Sequence, residues 1–125
     1  MIIYLACRFE DQQALLKIKP QVLALGHKVT SRWLEDETND NWRDRASVFA
    51  TKDFQDIDRA DLFLLDMTRD INGAKGGMFV ELGYAIKGKK KVWIIGKKPN
   101  VFCYHKAVQY FESWDEVFKK LEREK

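Results

Sequence analysis

The sequence lacks the features that mark several classes of protein. Its two cysteines, Cys7 and Cys103, are far apart and have no metal-ligand spacing, so we expect neither a disulfide framework nor a metal site. No apolar run approaches the roughly 20 residues needed to span a bilayer. The first residues lack the basic flank and the cleavage pattern of a signal peptide. These absences predict a soluble, cytoplasmic protein without a membrane partner.

The chain also lacks a strong excess of one charge. Its net charge is +3, and the densest basic run, residues 87–91, is typical of a solvated turn. This does not favour binding to a nucleic-acid duplex, although a small anionic substrate is compatible with it. The glycines in residues 73–77 do not form a G-x-G-x-x-G fingerprint after the first strand. We therefore expect no dinucleotide cofactor and no other cofactor.

Strand-like runs alternate with helical patterns along the 125 residues, which fit one domain covering residues 1–125. Predicted strands cover 2–7, 28–31, 61–66, 91–96 and 108–111, and predicted helices cover 11–25, 42–60, a segment from about 76, and a segment after Ser113. We expect Pro20 to kink or split the first helix. The alternation predicts an α/β, flavodoxin-like or Rossmann-like three-layer sandwich with a parallel sheet of about five strands. A ligand is expected at the carboxyl ends of the first and third strands.

One carboxylate interrupts an otherwise apolar helical segment. If that helix begins near Gly77, Glu81 lies on the same face as Met78, Leu82 and Ala85. An inward carboxylate costs several kcal/mol unless it is paired, hydrogen-bonded or open to a polar pocket. Glu81 is therefore either a structural acid bonded to nearby backbone or a functional group.

The start of that helix is suited to an anion. Gly76 and Gly77 leave the first-turn amides bare, and these amides carry the positive end of the helix dipole. A second acid, Asp53, interrupts the apolar stripe of the helix over 42–60. Two inward carboxylates beside such a helix start suit cleavage of a glycosidic bond through an oxocarbenium-like transition state.

Several of these residues resemble a known family. Tyr4 near the start, Asp53, and Glu81 within Val-Glu-Leu-Gly-Tyr-Ala are similar to the nucleoside 2-deoxyribosyltransferase superfamily over nearly the whole chain. The resemblance implies that Glu81 is the nucleophile that attacks C1′ of a 2-deoxyribosyl group. It also implies that Asp53 protonates or orients the departing base and that Tyr4 holds Glu81 in place.

The chain also resembles a small bacterial and phage branch of that superfamily, which is related to the 2′-deoxynucleoside 5′-monophosphate N-hydrolases. The resemblance lies at residues 30–34, at Gly76-Gly77, and at Asn100, Val101 and Phe102 with His105. The resemblance implies a homodimer or higher homo-oligomer in which Asn100 and His105 act across the interface. By itself, His105 is either a general base or an exposed loop histidine.

The substrate expected from this resemblance is a small nucleoside or nucleotide. Where the transferases have an acid six residues before the nucleophile, this chain has Lys75, and the change of two charge units favours a 5′-phosphate. Arg8 and Arg32 add to that preference, although each is also explained as a solvent-facing cation. Trp33 is either a stacking surface for the base or a semi-buried core aromatic.

Two other functions stay open at this stage. Lys75 departs from the catalytic pattern, so a silent module that binds a nucleotide as a sensor is one alternative. A plain interaction domain is the other, with the acidic loop between Trp33 and Trp42 as the partner surface.

Overall fold

The computed structural model describes residues 1–36, 41–69 and 76–124, and it contains one five-stranded sheet. The strands are β1 (Ile2–Ala6), β2 (Lys28–Val29), β3 (Leu62–Met67), β4 (Lys91–Gly96) and β5 (Val108–Phe111). The helices are α1 (Gln12–Ala24), α2 (Ala46–Arg59), α3 (Gly77–Lys87) and α4 (Trp114–Arg123). Short 3-10 turns cover Phe9–Asp11, Arg32–Glu35, Trp42–Arg45 and Val101–Tyr104.

All strand pairs are parallel, and the strand order is β2-β1-β3-β4-β5. The chain moves from β1 outward to β2 and then returns past β1 to β3. Right-handed crossovers therefore place α1 on one face of the sheet and α2 and α3 on the other. The reversal of direction opens a crevice at the carboxyl ends of β1 and β3. The predicted flavodoxin-like three-layer sandwich is confirmed.

The central strands account for the core because their sequences are continuous apolar runs. Residues 62–65 of β3 and residues 3–6 of β1 are fully buried, as a strand covered by helices on both faces requires. Between α2 and α3, the partly buried rings of Phe54 and Tyr84 stack with centroids 4.0 Å apart. This contact holds together the two helices that supply the candidate carboxylates.

The edge of the sheet beside β1 is completed by side chains. Strand β2 pairs with β1 only over two residues. Beyond it, the Leu5 amide donates to Ser31 Oγ at 2.6 Å, and Trp33 Nε1 donates to the Leu5 carbonyl at 2.9 Å. The segment that follows β2 therefore continues the hydrogen bonding of β1 without being a strand.

A buried acid fixes the same segment to α2. Asp56 is 1% exposed, and its carboxylate accepts from the Arg32 backbone amide at 3.0 Å and from Arg32 Nε at 2.8 Å. The Thr30 hydroxyl donates to the Asp56 carbonyl at 2.9 Å. Buried charge is tolerated only when it is paired and hydrogen-bonded, and this arrangement meets that condition.

The structure refines the helices expected from sequence. Helix α1 runs from Gln12 to Ala24 and is not split at Pro20, because Leu15 and Val22 anchor its two halves in one core. A kink at Pro20 stays a prediction. Helix α2 begins at Ala46 after a 3-10 turn over Trp42–Arg45, so the first residues of the helix predicted over 42–60 were wrong. The burial of Asp56 was not predicted, because a pattern of apolar residues does not indicate which acids are buried.

None of the helices in the part of the chain that the structure describes has both the length and the apolar character required to cross a membrane.

We expect Asp56→Ala to lower the free energy of unfolding by about 2–4 kcal/mol, because it removes charge-assisted bonds to the Arg32 amide and guanidinium. Urea denaturation monitored by circular dichroism measures the change. Asp44→Ala, which removes an exposed acid, serves as the control and should stay within about 0.5 kcal/mol of the parent. Equal stability of the two variants would contradict the role given to Asp56.

Candidate active site

A cavity of about 550 Å³ lies beside the carboxyl end of β1, between α2 and the start of α3. This volume is in the range of small-molecule sites. Six residues predicted from sequence line it: Arg8, Trp33, Asp53, Gly76, Gly77 and Glu81. The strand order brings these positions together from four separate stretches of the chain.

Helix α3 begins at the cavity wall. Gly76 precedes the helix with φ +90°, a left-handed backbone conformation that a side chain would make unfavourable. Gly77 follows at the first helical position, and the carbonyl of Gly76 accepts from the Phe79 amide at 3.0 Å. The turn that Gly76 permits sets the direction in which α3 carries Glu81 toward the cavity.

Glu81 is partly buried, and its carboxylate accepts a hydrogen bond from the Tyr4 hydroxyl. Burial raises the pKa of Glu81 to about 7; the Tyr4 hydrogen bond acts in the opposite direction, and the charge of Asp53 adds to the rise. The predicted face of α3 is confirmed, because Met78, Leu82 and Ala85 are buried beside Glu81.

Tyr4 lies under the cavity floor and is fully buried in β1. Its ring is stacked on Phe63 of β3 with centroids 5.7 Å apart. Burial, followed by the charge of Glu81, raises the pKa of Tyr4 well above its ordinary value. Tyr4 therefore keeps its proton and acts as a fixed donor to the carboxylate.

Asp53 brings a second perturbed carboxyl group to the cavity from α2. Burial raises its pKa to about 6, with the charge of Asp56 as the next contribution, and Lys52 acts in the opposite direction. The Asp53 Oδ1 atom is buried and has no hydrogen-bond partner among the described residues. Such an atom normally has a partner, so a bound molecule or water is expected to supply one.

Aromatic rings form much of the remaining wall. Trp33 is only 9% exposed, and its ring lies 6.4 Å from that of Phe9 between centroids. Trp42, Phe49 and Phe54 also line the cavity. A flat apolar ring system such as a nucleobase matches this lining.

Arg8 also lines the cavity, but its guanidinium has acidic neighbours. Arg8 Nη2 lies 3.1 Å from Asp11 Oδ1, and Nε lies 3.7 Å from Glu10 Oε2. Its charge is therefore partly balanced within the protein, which weakens its attraction for an anion.

The other predicted site residues lie elsewhere. Arg32 is paired with Asp56 and is not part of the cavity lining. Asn100 caps the 3-10 turn after β4 by accepting from the Phe102 amide, and His105 Nδ1 accepts from the Ala107 amide at 3.0 Å. Neither residue lines the cavity of its own chain. Lys75 lies outside the described residues.

Sequence reasoning missed Asp36 and Gln12. Asp36 lines the cavity. Gln12 Nε2 donates to the Trp33 carbonyl within the Arg32–Glu35 turn and to the Asp36 carbonyl directly after it. The only signal for Asp36 was its place in an acidic loop that could cover a site. Within residues 1–36, 41–69 and 76–124, no group of three or more His, Cys, Asp or Glu side chains could hold a metal ion.

Comparison with known proteins gives a matching family model and structures of similar fold. A family model described as nucleoside 2-deoxyribosyltransferase matches residues 3–115. The 2-deoxyribosyltransferase of Bacillus psychrosaccharolyticus is 26% identical, with a TM-score of 0.74 and coverage of 97% of this chain and 96% of that one. The CMP N-glycosidase BcmB of Clostridium botulinum is 19% identical, with a TM-score of 0.61 and coverage of 98% and 99%, and shows the shared fold. The search of curated proteins gives no match.

We expect Glu81→Gln to stabilise the fold at alkaline pH. The folded-state pKa of about 7 exceeds the ordinary value of 4.5, so the ionised carboxylate destabilises the folded state above pH 7. That shift corresponds to about 3 kcal/mol, and the penalty disappears as the pH falls to about 4.5 and below. Urea denaturation at pH 8 and at pH 4.5 measures the difference. Glu112→Gln, at an exposed position, should show no such pH-dependent gain, and a Glu81→Gln variant less stable than the parent at pH 8 would refute the expectation.

Proposed function

Because the chain belongs to the nucleoside 2-deoxyribosyltransferase family, we propose that it cleaves the N-glycosidic bond of a nucleoside or a nucleoside 5′-monophosphate with Glu81 as the nucleophile. The observation that carries the proposal is the pairing of Glu81 with Tyr4 at the wall of an aromatic-lined cavity that also receives Asp53. Members of this family are enzymes, so the chain is assigned as an enzyme of N-glycosidic-bond chemistry.

In the first step of the proposed reaction, a Glu81 carboxylate oxygen attacks C1′ of the sugar. A C1′–O bond forms while the C1′–N bond breaks, and the electron pair of the broken bond leaves with the base. Asp53, when protonated, donates to the departing base or orients it. Tyr4 holds the attacking carboxylate and, because its own pKa is raised, does not lose its proton to Glu81.

The second step releases the sugar from Glu81. Attack by water at C1′ gives hydrolysis, whereas attack by another base gives transfer. Both outcomes restore the carboxylate, and both use Asp53 as the group that exchanges a proton with the incoming nucleophile. The two reactions are distinguished by adding a free acceptor base to the assay.

The phosphate state of the substrate is part of the same test. Lys75, on which the expectation of a 5′-phosphate was based, lies outside the described residues. The described lining carries four carboxyl groups and one guanidinium, that of Arg8. A 5′-phosphate would be bound against this negative charge by Arg8 and by the amides at Gly76 and Gly77. Nucleosides and 5′-monophosphates therefore both belong in the substrate panel.

The homo-oligomer expected from sequence stays a proposal. Asn100 adjoins a 3-10 turn whose side chains are unusually exposed for apolar residues: Val101 is 76%, Phe102 66% and Tyr104 65% exposed. A second copy of the chain is the occupant we propose for this surface, and it would bring Asn100 and His105 toward a neighbouring cavity.

We expect the protein to release free base from at least one member of a panel of 2′-deoxynucleosides and their 5′-monophosphates, with and without an acceptor base. Glu81→Gln should lower kcat by roughly 10³-fold or more, because the amide cannot form the covalent intermediate. Chromatography of free base measures both effects. Glu112→Gln is the matched control and should keep parental activity, whereas release of no base from any panel member would refute the proposed function.

We expect kcat/KM to depend on pH with a maximum between about 6 and 7. Attack requires ionised Glu81, so the rate rises as the Glu81–Asp53 pair loses its first proton. Departure of the base requires protonated Asp53, so the rate falls as the pair loses its second proton. Asp53→Asn should remove the alkaline limb, because the amide has no proton to lose and only the ionisation of Glu81 still changes the rate. An unchanged profile in Asp53→Asn would exclude Asp53 as the proton donor.

A further inference from the structure

Asp36 is held at the cavity wall by a lysine. Lys52 Nζ donates to both Asp36 carboxylate oxygens, at 2.8 and 2.7 Å, and the Asp36 side chain remains 28% exposed. An ionised carboxylate has about four acceptor positions, so Lys52 leaves some of them open. The Asp36 carboxylate is therefore held in position and still has acceptor positions open to a ligand in the cavity.

A buried glutamine fixes the backbone around Asp36. Gln12 is 5% exposed, and its Nε2 group donates to the Trp33 carbonyl at 2.7 Å and to the Asp36 carbonyl at 3.0 Å. Trp33 Nε1 also donates to the Leu5 carbonyl, so the backbone contacts fix the position of the Trp33 ring relative to Asp36. Such rigidity is what selection between similar ligands requires.

The cavity lining offers acceptors and few donors. Apart from Cys7 and Arg8, the ionisable side chains that line it are carboxyl groups, and Arg8 already has Asp11 and Glu10 as neighbours. Cytosine and adenine carry an exocyclic amino group, which is a donor, whereas uracil, thymine and hypoxanthine carry a carbonyl oxygen at the corresponding position. An oxygen placed against a carboxylate is repelled and leaves both groups unsatisfied.

We infer that Asp36 determines base specificity by accepting a hydrogen bond from the exocyclic amino group of the substrate base, while the base stacks beside Trp33. This inference rests on the proposed function. Lys52 and Gln12 are positioning residues in it, because they contact Asp36 and not the base. The enzyme accordingly prefers amino-bearing bases to their oxo counterparts.

The test compares kcat/KM within matched pairs: deoxycytidine against deoxyuridine and deoxyadenosine against deoxyinosine, as nucleosides or as 5′-monophosphates. A hydrogen bond to a charged group predicts a preference of about 10–100-fold for the amino member. Asp36→Asn should reduce that ratio to near one, because an amide offers both a donor and an acceptor. Asp36→Glu retains the acceptor and should retain the preference, with a lower kcat/KM for both members.

Glu35→Gln is the matched control, since Glu35 precedes Asp36 and pairs with Lys19 outside the cavity lining. It should keep the parental ratio. The ratio of the parent protein needs no variant, so it tests the inference even if Asp36→Asn does not fold. Equal rates for amino and oxo bases in the parent, or an unchanged ratio in folded Asp36→Asn, would overturn this inference alone. Release of no base from any substrate would instead overturn the proposed function.

Discussion

The hydrogen bond from Tyr4 to Glu81 is the interaction on which the site depends. It joins the buried strand β1 to the helix that carries the carboxylate, and the stacking of Tyr4 on Phe63 gives the hydroxyl little freedom to move. The contact offsets only part of the cost of burying the carboxylate, because the pKa of Glu81 stays raised. In the proposed reaction, a cation that forms at C1′ would regain that electrostatic energy, so the free energy that destabilises the fold would be available to the chemistry.

The second carboxylate depends on a different set of contacts. Residues 30–36 are held between α1 and α2: Gln12 binds this segment from one side, and Asp56 and Lys52 bind it from the other. Asp53 lies on α2 between Lys52 and Asp56, so the same contacts position it and set its charged surroundings. Among the described residues, the Asp53 Oδ1 atom is the buried side-chain oxygen at the cavity that these contacts leave without a hydrogen-bond partner.

The strands and the inward direction of Glu81 could be predicted because they follow from local patterns: continuous apolar runs for the central strands and a 3.6-residue period for the helix. The parallel sheet followed from the alternation of strands and helices. The roles of Asp56, Asp36 and Gln12 could not be predicted, because each depends on partners about 16 to 24 positions away and on side chains whose polarity suggests exposure. Arg32 illustrates the limit: its charge indicated an anion site, whereas the fold places a buried acid beside it. Asn100 and His105 lie outside the cavity of their own chain, and their roles cannot be inferred from one copy of it.

Trp33 has two tasks, since its indole forms part of the cavity wall and its Nε1 group bonds to Leu5 of β1. Replacing it to suit a new ligand would leave a strand carbonyl without a partner beside a β2 of only two residues, and an open strand edge invites pairing with other chains. A substitution at Trp33 that changes the substrate range would therefore also lower solubility, and this constrains evolution at that position. It is freer at Trp42 and Phe49, since neither ring forms a hydrogen bond to the sheet in the part of the chain that the structure describes, so new ligands would be accommodated first beside these two rings.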